Sequence, residues 1–363
     1  MSLFILLICI ITVLLAIFFL LPTLIISKDA AEKELSMPAS LFILWRGTRL
    51  HYIDEGQGIP VLMIHGFGGS TQNFSKIAAA LKGSYRVIRV DIPGFGLSDL
   101  PESGVNPDYV QMYREYITFF LDFLHLDSLY IMGNSMGGGI AWLAAGDHPE
   151  KVIKLVLVGS GGYDAINIAS KLTIFKYTGF KHIFNKGMPE FMSKMAALST
   201  YADPQKMEPE VWQLSNQFMN REGNIQNMLD LVTERQFPDT GLIRRVKCPT
   251  LIVWGKEDNV IPVEHAEKFH ADIKNSEVII YDHCGHVPMM ECAEQFTNDF
   301  LNFANAGWFC SPSWSQMDGE VKIRFLLYFK SSFVPGISSM ASSMECELCI
   351  FFPLPCVISA SLV

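Results

Sequence analysis

The sequence predicts an α/β protein built on a mostly parallel sheet, and two observations predict it. Apolar runs of strand length recur along the middle of the chain, most of them continuous, as strands buried on both faces require. Segments with apolar residues at helical spacing lie between them, the order that builds an open sheet covered by helices. The runs are Val61 to Ile64, Val87 to Val90, Leu129 to Met132, Ile153 to Val158, Leu251 to Trp254 and Val278 to Tyr281. Before them, Leu41 to Trp45 and Thr48 to Asp54 flank Arg46-Gly47 and read as a hairpin at one sheet edge. Tyr109 to Leu124 places Tyr113, Tyr116, Ile117 and Phe120 on one helical face. From Asp164 to about Arg245 no strand is evident and the stretches Met188 to Leu198 and Val211 to Glu222 read as helices, which predicts a helical cap over the sheet.

Composition narrows the function. With 28 Lys and Arg against 37 Asp and Glu among 363 residues, the net charge is −9. No basic stripe runs along the chain, which argues against a nucleic-acid partner. Half of the residues are hydrophobic and 18% are charged, which excludes a disordered chain.

The ends differ from the body. Leu3 to Ile26 carries no charge and is long enough to cross a hydrocarbon core roughly 30 Å thick, so residues 1–27 read as an uncleaved membrane anchor. Lys28, Lys33 and Arg46 follow it and no Lys or Arg precedes it, which leans toward a cytoplasmic body. Residues 28–303 form the α/β body with its cap at about 164–245. Residues 304–363 are rich in Ser, Phe, Cys and Met without a lasting period and read as a poorly ordered extension. Cys346-Glu347-Leu348-Cys349 has C-x-x-C spacing but no second ligand pair nearby, so no metal is expected there. Cys248, Cys284 and Cys292 in the body are an odd three and read as reduced core thiols.

The chemistry concentrates at Gly133-Asn134-Ser135-Met136-Gly137, which follows a strand and precedes a helix. A serine on such a tight turn needs small neighbours to relieve the crowding, and its hydroxyl projects at the helix N-terminus. Ser135 is therefore the candidate nucleophile. Together with His65-Gly66-Phe67-Gly68-Gly69-Ser70, Asp91-Ile92-Pro93-Gly94-Phe95-Gly96-Leu97-Ser98 and Cys284-Gly285-His286, this motif resembles the α/β-hydrolase family from about Trp45 to Phe303. The resemblance implies an oxyanion hole made by the backbone N–H groups of Phe67 and Met136, and His65 as an orienting residue rather than a base.

A serine needs a base, and His286 is placed for it by a short loop after a strand and by the family's glycine-then-histidine pattern; His283 is the rival. The acid that fixes the imidazole is read as Asp258, after the strand Leu251 to Trp254, in the chain order Ser, Asp, His. Glu257 and Asp282 are the alternatives, and Asp91 reads as a turn-former.

Serine at the elbow excludes the aspartate chemistry of haloalkane dehalogenases and epoxide hydrolases. No nucleotide loop or metal cluster is evident, and no cofactor is expected. The leading expectation is a serine hydrolase of carboxylic esters resembling membrane-anchored monoacylglycerol lipases, with a small-molecule ester, possibly lipid-derived, as partner. The cap methionines Met188, Met192, Met195, Met207, Met219 and Met228 either line its acyl pocket or pack the cap's own core. Two alternatives remain: a carbon–carbon bond hydrolase of ring-fission products, whose elbow has the same Gly-Asn-Ser-Met-Gly-Gly run, and a catalytically silent, membrane-tethered binding protein.

Overall fold

In the computed structural model, residues 24–101, 108–163, 186–233 and 239–306 are described, with 348–349 and 359–360. The chain divides into two compact units, Met1–Ala306 and Gly307–Val363. From the second unit the structure describes two short antiparallel strands, Leu348–Cys349 and Ser359–Ala360. Residues 1–23 and most of the predicted extension, Cys346 included, lie outside the described residues.

The first unit carries an eight-stranded sheet of order β1-β2-β4-β3-β5-β6-β7-β8. The strands are β1 (Ser40–Trp45), β2 (Thr48–Glu55), β3 (Pro60–Ile64), β4 (Arg86–Val90), β5 (Leu129–Asn134), β6 (Val152–Val158), β7 (Thr250–Gly255) and β8 (Ser276–Tyr281). β1 and β2 form the edge hairpin, and β2 runs antiparallel to β4. From β4 to β8 every neighbouring pair is parallel. Arg46 (φ 51°) and Gly47 (φ 80°) both take positive φ at the hairpin turn, the conformation a two-residue connection needs to match strand twist.

Alternate side chains of the central strands enter two separate cores. Leu62, Ile64, Ile88, Ile131, Leu157 and Ile252 join one cluster, while Val61, Met63, Val87, Met132, Val156 and Val253 join the other. Burial on both faces is why these strands are continuously apolar.

The helices of the body are α1 (Lys28–Leu35), α2 (Ser75–Leu81), α3 (Tyr109–Phe123) and α4 (Met136–Asp147). The cap contributes α5 (Glu190–Leu198), α6 (Pro209–Met219) and α7 (Asn224–Thr233), and the chain returns to the body with α8 (Glu264–Asp272), α9 (Pro288–Glu291) and α10 (Ala293–Asn305). Ser27 caps α1 by accepting the Ala30 N–H. Lys154, buried on β6, donates to the carbonyls of Phe303, Ala304 and Ala306 and so satisfies acceptors that the end of α10 leaves free.

One boundary differs from the sequence reading. Leu24 to Ile26, assigned to the membrane span, are not helical: Leu24 N–H donates to Lys186 O (2.6 Å), Ile26 N–H to Asn220 O (2.8 Å), and Ile26 O accepts from Glu222 N–H (2.8 Å). The backbone groups of Leu24 and Ile26 bond to the cap, so these residues are not part of a membrane-spanning helix. Among the described residues no helix is long and apolar enough to cross a membrane.

The cap is tied to the loop after β4. Asn224 and Asn227 donate to the carbonyls of Gly96 and Gly94 (3.0 Å each), and Arg221 pairs with Asp99 at 2.7 Å. Asp91 organises that loop from beneath. Its fully buried carboxylate accepts from Thr71 N–H (2.6 Å), Leu97 N–H (2.8 Å) and the His51 ring (2.7 Å). Burial opposes its ionisation, but the His51 ring and the Leu97 amide outweigh it and hold the carboxyl below the usual range.

Candidate active site

Ser135 stands between β5 and α4 with φ 54° and ψ −120°, a backbone that a residue with a side chain adopts only under constraint. The constraint is a net of main-chain bonds. Ser135 N–H donates to Val158 O (3.0 Å), and Ser135 O accepts from Gly139 N–H (3.1 Å) and Gly161 N–H (2.7 Å). A Cβ on Gly137 would overlap the carbonyls of Ile64 and His65, so glycine there lets α4 start directly against the end of β3. Trp142 on α4 donates its indole N–H to Gly161 O (3.0 Å), which locks the helix to the segment after β6.

The loop after β3 lies against this turn. Ile92 N–H donates to His65 Nε2 (3.0 Å), which leaves Nδ1 protonated to donate to Gly66 O (2.7 Å). Burial keeps this imidazole below its ordinary pKa and therefore neutral near pH 7. His65 is thus an orienting residue. With Gly66 O turned toward His65 and Gly69 N–H, the Phe67 N–H on the same planar peptide points the other way. Met136 is the first residue of α4, and its N–H has no acceptor within the helix. Among the described residues neither N–H donates in any hydrogen bond, and both residues line the cavity that Ser135 faces.

His286 is buried in the loop after β8, and its Nδ1 lies 2.8 Å from Asp258 Oδ2. The Asp258 side chain is fully buried, and its Oδ1 accepts from Val260 N–H (2.8 Å) and Ile261 N–H (2.9 Å). One oxygen is held by backbone and the other is aimed at the ring, an arrangement that fixes the tautomer with Nε2 free to act as a base. The alternatives face solvent: Asp282 pairs with Lys256 at the surface (2.5 Å), His283 is 89% exposed, and Glu257 accepts from Cys284 N–H (3.2 Å).

Asn134 is a residue whose role the motif alone did not reveal. Buried beside the serine, it donates from Nδ2 to Val158 O (3.0 Å) and His286 O (3.1 Å), and so joins the elbow directly to the histidine loop.

Ser135 and His286 open onto a cavity of about 860 Å³ between the sheet edge and the cap. Met207, Met219 and Met228 of the cap line it, with Met136 and Met290 from the body. Met188 and Met192 instead pack against Ile225 and Leu229, and Met195 is exposed, so of the six cap methionines three line the pocket, two pack the cap and one faces solvent. Beside His286, the ionisable side chains with a full charge among the described lining residues are Lys76 and Glu210; Lys76 pairs with Glu208 at 3.1 Å. Among the described residues no cluster suited to a metal ion occurs.

Residues 59–293 match the model of the alpha/beta hydrolase fold. The chain belongs to the alpha/beta hydrolase family. It is 32% identical over 267 residues to a 2-hydroxy-6-oxononadienedioate/2-hydroxy-6-oxononatrienedioate hydrolase of Klebsiella pneumoniae, covering 71% of this chain and 91% of the relative. It is 32% identical over 291 residues to a 2-hydroxy-6-oxo-6-(2'-aminophenyl)hexa-2,4-dienoic acid hydrolase of Metapseudomonas resinovorans, covering 76% and 94%. Among solved structures, a meta-cleavage product hydrolase from Pseudomonas fluorescens superimposes with a TM-score of 0.63 at 25% identity, covering 73% of this chain and 97% of that one.

These relatives overturn the expected ester hydrolase of the monoacylglycerol lipase kind. The elbow, the histidine loop and the apolar cap that suggested esters are common to hydrolases of other bonds, and the substrates in the relatives' names are oxo-dienoic acids.

The oxyanion loop supplies a prediction. A methyl on Gly66 would sit 2.9 Å from Ser135 Cβ and 3.2 Å from Asn134 Oδ1. Gly66→Ala is expected to slow fluorophosphonate labelling of Ser135 by about 10- to 100-fold, because a displaced loop misplaces the Phe67 N–H, while the urea midpoint moves little. A wild-type labelling rate would show that the loop accepts the methyl without moving.

Proposed function

We propose that this chain is a hydrolase of carbon–carbon bonds in oxo-dienoic acids of the ring-fission type. The observation that carries the reading is the likeness to hydrolases of such acids over 71% and 76% of the chain. A second support is the large and mainly apolar cavity, which suits a conjugated chain with an apolar arm.

The residues divide the work as follows. Such an acid first ketonises: the 2-hydroxyl gives up its proton and the carbon next to the remote carbonyl takes one from solvent, so that this carbonyl lies next to a CH₂ attached through a C=C bond to the 2-oxo group. Ser135 Oγ attacks that carbonyl while His286 Nε2 takes its proton, and Asp258 steadies the imidazolium. The oxygen that becomes negative is met by the N–H groups of Phe67 and Met136, each worth roughly 3 kcal/mol to the transition state. Collapse of the tetrahedral centre breaks the bond to the CH₂, and the electron pair moves along the conjugated chain to the 2-oxo group. His286 returns its proton to the departing fragment. Water, activated by the same histidine, then releases the second fragment as a carboxylic acid. Lys76, the cation among the described lining residues, would meet the substrate carboxylate by exchanging its pairing with Glu208.

The test compares substrates on one preparation. The purified protein is expected to consume a 2-hydroxy-6-oxo-6-phenylhexa-2,4-dienoate with a kcat/KM at least about tenfold above that for p-nitrophenyl butyrate, with both activities lost in Ser135→Ala. Turnover of the ester alone would contradict the reading.

The membrane anchor belongs to the same proposal. Leu3 to Thr23 is free of charge and, as a helix, reaches roughly 30 Å; the cap takes up the chain from Leu24. The lean toward a cytoplasmic body rests on Lys28, Lys33 and Arg46. Full-length protein is expected to stay in the pellet after alkaline carbonate extraction and to leave it when residues 1–23 are removed. Release of the full chain by carbonate would refute the anchor.

A further inference from the structure

The loop that carries His286 meets the cap strap after α5, in part through a carboxylate outside the reacting groups. Glu291 ends α9, five residues beyond His286. Its Oε2 accepts from Gly285 N–H at 2.7 Å, immediately before the histidine. The same carboxylate accepts from Ala202 N–H, 3.2 Å from each oxygen, and Asp203 N–H lies 3.5 Å from Oε1. Ala202 and Asp203 belong to the cap strap that follows α5. His286 N–H in turn donates to Thr200 O of that strap at 2.6 Å.

The two segments are packed too closely to slide independently. A Cβ on Gly285 would lie 2.6 Å from Ala202 N and 2.8 Å from the Tyr201 carbonyl carbon. Tyr201 is buried in the same core cluster as Cys284, Val287 and Met289, and Thr200 and Tyr201 also line the cavity. The strap is therefore at once part of the substrate pocket and the support of the histidine main chain.

We propose that Glu291 is a positioning residue that clasps the cap strap to the histidine loop, so that the part of the pocket formed by Thr200 and Tyr201 and the catalytic His286 are held as one unit. A carboxylate suits the task because it is acceptor-only and can serve amides from two segments at once. A glutamine would keep one acceptor and turn an NH₂ toward N–H groups that need an acceptor. The histidine main chain would then lose one of its fixed points, although Asp258 and Asn134 stay in place. The inference rests on Ser135 and His286 as the reacting pair and does not depend on which bond the substrate offers.

The experiment is inactivation by a small alkyl fluorophosphonate, in which Ser135 Oγ bonds to phosphorus, fluoride leaves, and His286 takes the serine proton. The probe needs the serine, the histidine and the oxyanion donors but no substrate-specific cap contact. Full-length wild type, Glu291→Gln and Glu291→Asp are compared for the rate at saturating probe, the half-saturating concentration and the final labelled fraction. Glu291→Gln is expected to lower the saturating rate by about tenfold or more with half-saturation within about twofold, and Glu291→Asp to recover part of the rate. A merely structural defect would instead reduce the labelled fraction and leave the rate of the reacting molecules unchanged, which would overturn the proposal. So would a wild-type rate in Glu291→Gln. If Glu291→Gln does not fold, Glu291→Asp is judged by the same split. A wild type that resists the probe altogether would refute the serine hydrolase reading itself, an outcome separate from the failure of Glu291.

Discussion

The constraint on which the site depends is the left-handed backbone of Ser135, a conformation that costs on the order of 1–3 kcal/mol for a residue with a side chain. It persists because three strands and a helix over-determine it. Val158 and Gly161 bind its two backbone polar groups from the far side of β5, and α4 begins against the carbonyls of Ile64 and His65. Had either neighbour carried a Cβ at Gly137 or Gly66, the turn and the oxyanion loop could not approach so closely. The strain thus places one hydroxyl, one helix N-terminus and one loop amide at the same sheet edge.

The remaining chemistry is brought to that edge by buried polar bonds rather than by apolar packing. Asp258 is fixed by two amides before it meets His286, and Asn134 ties the histidine carbonyl to the elbow. The cap is clamped at two separated points, by Arg221, Asn224 and Asn227 on the loop after β4 and by Glu291 on the histidine loop. Groups of this kind are directional and costly to leave unpaired when buried, so they fix register where an apolar contact would tolerate sliding. Between the clamps the cavity wall is left to methionines and other apolar side chains, which can adapt to a ligand.

Much of this was legible in the sequence because it is written locally. The continuous apolar runs foretold a sheet buried on both faces, Arg46-Gly47 foretold the hairpin, and the glycines around Ser135 foretold the elbow. Asp258 and His286 could be chosen by chain order and by their place after strands. What depends on distant partners was not legible. Nothing local distinguishes Met192, which packs on Ile225, from Met219, which lines the cavity, since both sit at helical spacing in the same insertion. Leu24 to Ile26 read as the end of an apolar span because their partners, Lys186, Asn220 and Glu222, are some 160 residues away or more. Asn134 was visible only as the variable position of a motif, and Glu291 only as one acidic residue in a short helix. The substrate was misread for a similar reason, because an apolar cap and a serine elbow define a hydrolase without defining the bond it cleaves.

The central claim is that the serine, histidine and buried aspartate serve carbon–carbon hydrolysis, and isotope tracing tests it most directly. A ring-fission dienoate is turned over in H₂¹⁸O and, separately, in D₂O, and both fragments are identified by mass spectrometry. The account predicts one ¹⁸O in the carboxylic acid released from Ser135 and one solvent deuterium on the carbon of the departing fragment, with neither product formed by Ser135→Ala. Intact dienoate after prolonged incubation with enzyme whose Ser135 is fully reactive toward fluorophosphonate would contradict it.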